Sequence, residues 1–229
     1  MCGRLTLTSS ASEIAQLFRL AHVPDVQPRF NLAPTQSSLI VHEDEAGARL
    51  AEPARWGLLP HWAKDANFGS KTFNARSETV AEKPSFRSAY RKRRCLVPSN
   101  GFYEWEKRGG KKWPWYFHLP DQRLFAFAGL WESWQDPEQE KEVRSFTILT
   151  LPAHADLERL HHRMPLILET PERQEQWLAG ARPGQEVQPP PPAQPVGTLD
   201  AYPVDPRVNR AGVEGPECLE PLAQQGDLF

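Results

Sequence analysis

The chain is poor in the residues that build covalently or metal-braced scaffolds. Its 229 residues include three cysteines, Cys2, Cys95 and Cys218, with no CxxC spacing. That excludes a disulfide framework. No cysteine and histidine cluster has ligand-like spacing, so no metal site and no cofactor are expected. No apolar run reaches the length of a membrane span. The opening MCGRLTLTSS carries an arginine and lacks the apolar core of a secretory signal. Glycine does not directly follow Met1, as myristoylation requires. The expectation is a soluble, monomeric protein of the reducing cytoplasm with no membrane partner. Net charge is also small, at −2. Taken alone it argues against a nucleic-acid partner, but a total hides its distribution.

Proline and tryptophan are plentiful, with 23 and 8 copies. Short β-branched or aromatic runs bounded by Pro, Gly or Asp predict strands at Arg4–Thr8, Leu39–His42, Leu50–Leu59, Cys95–Val97, Trp115–His118, Leu124–Leu130 and Ser145–Leu151. Apolar spacing predicts helices over Ser12–Ala21, with Ser9, Ser10 and Ser12 as candidate N-caps and Pro24 and Pro28 ending it, over part of Ser77–Tyr90 with Ser77 as N-cap, and over Pro171–Ala179 after Thr170. Many short strands, few helices and no βαβ alternation indicate an α+β fold. Its centre should be a strongly curved, mostly antiparallel sheet or barrel with a few flanking helices. A single domain over 1–229 is expected. A proline-rich loop or insertion interrupts it at about 181–198, where Pro189–Pro192 is a run of four, and 224–229 should be frayed. The segment Val196–Asn209 reads as a returning strand.

Charge is unevenly placed. Ten basic residues lie between Lys83 and Lys112, opposed only by Glu104 and Glu106, whereas the chain from Pro171 onward holds nine acids against four bases. Lys107–Lys112 reads as a solvated hairpin turn around Gly109 and Gly110. Arg87–Arg94, beside aromatic residues, is a candidate phosphate-binding run.

Four constellations carry possible chemistry. Loss of Met1 would give Cys2 both a free α-amine and a thiol, and a 1,2-aminothiol closes on an aldehyde through an imine to a thiazolidine. Asn74 and Arg76 point the same way from an extended segment, as a binding pair would. Glu104 lies between Tyr103 and Trp105, a setting that raises a carboxyl pKa and suits a general acid. His161, in the run His161-His162-Arg163-Met164-Pro165, is placed to move protons.

Together, MCGR at the start, RFNLAPTQ at Arg29–Gln36, RWGLLPHWAKD at Arg55–Asp65 and NARSET at Asn74–Thr79 resemble the SOS response-associated peptidase (SRAP) family. KPSFR, RRCLVPSNGFYEW, FAFAGLW, HHRMPLIL and the closing PECLEPL extend the likeness. The resemblance implies a shield for abasic sites in single-stranded DNA, with or without a junction to duplex. The mature Cys2 would capture the ring-opened aldehyde as a thiazolidine crosslink by lyase-like Schiff-base chemistry. It further implies that Asn74 orients the N-terminus or lesion, that Glu104 is the acid/base, and that His161 rather than His162 assists ring opening and reversal. Arg4, Arg76, Arg87, Thr150 and Arg163 would be DNA contacts, with Trp62 and Trp105 as stacking surfaces. The family name also carries an alternative, a thiol autopeptidase using Cys2, Glu104 and His161, which would remove Met1.

Overall fold

A computed structural model describes residues 2–153, 155–158, 160–182, 186–192 and 199–222. Its elements in chain order are β1 (Leu5–Leu7), α1 (Ala11–Phe18), β2 (Arg29–Leu32), β3 (Ser37–Glu43), β4 (Arg49–Trp56), β5 (Asn74–Arg76) and α2 (Arg87–Lys92). There follow β6 (Arg94–Ser99), β7 (Gly101–Arg108), β8 (Lys111–His118), β9 (Phe125–Asp136), β10 (Lys141–Pro152), α3 (Ala155–Glu158), β11 (Arg163–Pro165), β12 (Ile167–Leu168), α4 (Pro171–Ala179) and β13 (Asp200–Pro203).

Five strands close on themselves. β3 pairs with β4, β4 with β10, β10 with β9, β9 with β6, and β6 returns to β3. Every strand pairing is antiparallel except those of β10 with β4 and β5. The expected curved, mostly antiparallel barrel with few helices is therefore what the chain forms. Closure leaves this ring without a free edge, so its backbone donors and acceptors are spent internally. Ile40, Trp56, Leu96, Phe127, Phe146 and Ile148 are fully buried in the core.

The tryptophans explain how loops are fastened to this ring. The indole N–H groups of Trp56, Trp134 and Trp177 donate to the carbonyls of Phe73, Ala63 and Cys95, at 2.8, 2.8 and 2.9 Å. Each buried ring thus satisfies its polar atom while pinning a loop or helix.

A second sheet runs β13-β8-β7-β1-β2. Gly109 and Gly110 both have positive φ, as a two-residue hairpin turn between β7 and β8 requires. At Gly101 two backbones come very close: a Cβ there would lie 2.4 Å from the Tyr116 ring. The segment after β13 packs over this sheet. Glu214 accepts from Arg29 Nε and the Phe30 N–H, and Tyr103 donates its hydroxyl to the carbonyls of Phe30 and Cys218.

Several boundaries differ from the sequence expectations. α1 is capped by Ser10, whose hydroxyl accepts from Glu13 N–H while Glu13 bonds back, and it stops at Phe18. Arg19 adopts φ 55° and terminates it, so Pro24 and Pro28 are not the stop. Ser77 caps no helix. Its N–H donates to the Thr150 carbonyl, and α2 begins only beyond Pro84, at Arg87. β4 ends at Trp56 because Gly57 turns at φ 123° against the backbone of Gly69. Of the expected returning strand, Asp200–Pro203 forms β13 and Pro206–Asn209 a 3-10 turn, while 196–198 lie outside the described residues. Within the proline-rich segment, Gln188 accepts from Tyr90 and Arg94 and so packs against the ring. Pro192 accepts from Arg173 at 2.8 Å, while 183–185, 193–198 and 224–229 lie outside the described residues. Among the described residues no helix is long and apolar enough to cross a membrane.

Candidate active site

Cys2 is fully buried and lies three residues before the start of β1, the strand between β2 and β7. The β1–β7 register pairs Thr6 with Gly101 and Leu5 with Phe102, and Tyr103 N–H donates to Arg4 O. Carried two residues further, that register sets Glu104 across from Gly3, beside Cys2. β5 reaches the same place from the barrel by pairing in parallel with β10. Asn74, its first residue, donates from Nδ2 to the Cys2 carbonyl at 2.7 Å. The Cys2 thiol faces the Arg4 carbonyl at 3.9 Å.

His161 enters from the opposite wall. Its N–H donates to the Leu157 carbonyl at the end of α3, and its ring stacks on His162 at 4.4 Å. The Arg163 N–H donates to His161 Nδ1 at 2.9 Å. Nδ1 also lies 3.2 Å from the Arg163 carbonyl, and in the tautomer in which Nδ1 accepts from the Arg163 N–H the proton is on Nε2. Glu104 and His161 line one open cleft of about 520 Å³, with Lys107, Lys112 and Glu158 on its walls. Among the described residues no group of three His, Cys, Asp or Glu side chains could hold a metal ion.

The cleft has distinctive electrostatics. Burial pushes the Glu104 carboxyl up to about 7, against the opposing pull of the chain's positive N-terminus. Burial, and then the nearby Glu104 charge, push the Cys2 thiol well above its ordinary value. Burial lowers His161 to about 4, assisted by the positive N-terminus and by His162. At neutral pH the site therefore holds a carboxyl divided between acid and base, a neutral imidazole and a protonated thiol. Such a set suits proton transfer around a carbonyl addition.

The other expected contacts separate into exposed and inward-facing groups. Arg76 and Arg87 are exposed, and so are Arg91 and Lys92 of the basic run. Trp62 is 45% exposed and rests edge-on against Phe68 at 5.1 Å. Arg4 donates to the carbonyls of Val208 and Asn209 and lies over the Trp105 ring, whose N–H is itself bonded to Asn209. Arg93 is paired with Glu132. Arg94 is buried between Tyr90 and Trp177, so the run is not one continuous cationic face. Thr150 is fully buried. Arg163 is turned inward, forked onto both oxygens of Glu78 and bonded to the Thr150 carbonyl. Glu78 was visible in the sequence only as part of NARSET, and nothing local marks it as the acid that secures Arg163.

The protein-family model described as SOS response associated peptidase (SRAP) matches residues 1–211. The abasic site processing protein YoqW of Bacillus subtilis is 38% identical over 229 residues, covering 96% of this chain and 99% of that one. The abasic site processing protein HMCES of Gallus gallus is 32% identical over 226 residues, covering 86% of this chain and 67% of its own. A crystal structure of a Bacteroides thetaiotaomicron protein superposes with a TM-score of 0.80 at 25% identity, covering 96% of this chain and all of that one.

Proposed function

Because the chain belongs to the SOS response associated peptidase family, we propose that it processes abasic sites in DNA by covalent capture through Cys2. The substrate is single-stranded DNA, at or away from a junction with duplex, and the reacting group is the aldehyde of the ring-opened sugar. The observation that carries this reading is the Asn74 bond to the Cys2 carbonyl at 2.7 Å, which holds the residue in place beside buried Glu104.

The chemistry starts once Met1 has been removed and the Cys2 nitrogen is an amine. That nitrogen adds to the aldehyde carbon to give a carbinolamine. Glu104 in its acid form protonates the hydroxyl, which leaves as water and produces the imine. Sγ then adds to the imine carbon while its proton passes to the nitrogen, closing the five-membered ring. One water is lost and no oxidant is required. Burial raises this carboxyl to about 7 in the Met1-bearing chain, and a carboxyl raised by burial toward neutrality supplies both protonation states that the sequence of steps needs. The order, amine first and thiol second, follows from a thiol that burial keeps protonated. His161 Nε2–H is the donor that assists opening of the sugar ring.

The thiol-peptidase alternative fits this electrostatic pattern less well. A cysteine peptidase lowers its thiol pKa with an imidazolium partner. Here the thiol is raised and His161 is lowered, so both shifts run the opposite way. Intact mass spectrometry of the mature protein, with and without an abasic oligonucleotide, tests capture. The expected species is protein plus oligonucleotide minus one water, stable to denaturant and lost in Cys2→Ala. A wild-type protein that stays unmodified would overturn the proposal.

A further inference from the structure

The β7–β8 hairpin extends past the site as a cationic tip. Lys107 stands directly opposite Lys112, and Arg108 opposite Lys111. Arg108 and Lys111 close the two-residue turn and share its hydrogen bonds. The next rung, Lys107 with Lys112, is then a non-hydrogen-bonded pair, in which facing side chains approach most closely. Like charges on such a rung repel, and a hairpin serving only as a turn gains nothing from them. Among the described residues neither lysine has an ion pair.

The nearby acids are otherwise placed. Glu104 is buried at the floor of the cleft, and Glu106 accepts from the Trp115 indole at 3.2 Å. Glu158, on the far wall, is exposed and makes no ion pair with either lysine. Both lysines line the cleft that contains Glu104 and His161. The sequence had placed this hairpin among solvated turns, whereas the fold sets it at the entrance to the reacting groups.

We propose that Lys107 and Lys112 form a phosphate clamp, holding one backbone phosphodiester next to the captured sugar while Glu104 and His161 act on the sugar itself. The inference rests on the capture reading. It adds a ligand chemistry, a phosphate monoanion, at a position between the hairpin tip and Glu104. Lysine is suited to this role as a point charge on a flexible stem that follows a mobile single strand. Two lysines on one rung, rooted on the sheet face that carries Trp105 and lining the same cleft as Glu104, can offer two ammonium donors to a single phosphate.

The test compares two substrates of the mature protein: a single-stranded oligonucleotide with one abasic site, and free 2-deoxyribose, which has the aldehyde but no phosphate. The variant K107Q/K112Q keeps the glycine turn and removes both charges. Capture of the oligonucleotide should slow roughly tenfold, the scale of one charge-assisted contact. The slope of log rate against log salt should become shallower by about 0.7, the value for one phosphate on a single strand. Capture of deoxyribose should be unchanged. Equal slowing on both substrates would mean that the lysines support the fold or the chemistry, and the clamp would be wrong. An unaffected oligonucleotide rate would likewise overturn it while leaving capture intact. A wild-type protein that captures deoxyribose but no oligonucleotide would end the DNA reading itself, a separate outcome.

Discussion

Replacing Glu104 with glutamine should make the protein more stable and less active, and structure and pH together set the size of the gain. Glu104 is 3% exposed, and burial moves its pKa from 4.5 to about 7. In the unfolded chain the group ionises near its ordinary value, while the folded chain keeps the proton until about neutrality. The folded state thus holds more protons than the unfolded state between pH 4.5 and 7, and stability falls with rising pH across that window. The stabilisation is complete below 4.5 and gone above about 7. At roughly 1.4 kcal/mol per pH unit, the interval amounts to about 3 kcal/mol. Glutamine has nearly the same shape and cannot ionise, so E104Q escapes the loss. Urea unfolding of the Met1-bearing chain should give equal stabilities near pH 4 and an advantage of about 3 kcal/mol for E104Q at pH 8. In thermal unfolding the same difference is roughly 6–12 °C for a chain of this size. Groups common to both proteins cancel in the comparison. Capture by mature E104Q should meanwhile be slower by about 100-fold or more, the usual contribution of a positioned acid or base. Parallel stability curves for the two proteins would refute the burial argument, and an undiminished capture rate would refute the assignment of Glu104 as acid.

Two further substitutions probe the frame around that carboxyl. Asn74→Ala removes the bond to the Cys2 carbonyl. An unpaired buried acceptor costs about 1–3 kcal/mol, so single-turnover crosslinking should slow by roughly 10- to 100-fold. A rate equal to wild type would show that Asn74 does not position the nucleophile. Gly101→Ala drives a methyl to within 2.4 Å of the Tyr116 ring, whose hydroxyl is already engaged with Thr6 at 3.0 Å. The expected loss is about 3 kcal/mol by urea unfolding, and a loss below 1 kcal/mol would mean that β7 and β8 separate more easily than the packing implies.

The sequence exposed residues whose neighbours along the chain already constrain them. The Gly109-Gly110 turn, Thr170 as cap of α4 and the short β-branched or aromatic runs of the strands are local signals, and all are present in the fold. Cys2 and Glu104 also stood out locally, the one by its position and the other by its aromatic neighbours. What was hidden is pairing between distant segments. No pattern near Glu78 announces that its carboxylate meets Arg163, 85 residues on. Nor does the basic run announce that Arg94 turns in between Tyr90 and Trp177 while Arg87 faces out. The helix over Ser77–Tyr90 was misplaced for a related reason. Ser77 is engaged by Thr150 of a strand far along the chain, a contact that outweighs its local preference for capping.

The central position of β1 governs the order in which the site can be assembled. Leu5 must pair with Leu32 on one side and Phe102 on the other. Chain emerges from a ribosome at about 5–20 residues per second, so roughly 5–20 s of synthesis separate the first strand from its later neighbour. His161 arrives later still. Throughout that interval the sheet around β1 lacks one of its two flanking strands. Once β7 docks, Cys2 is enclosed. Nonlocal pairing therefore acts as a clock: on the capture reading, loss of Met1 belongs to the interval before β7 docks, and Cys2 takes its buried place beside Glu104 only afterwards.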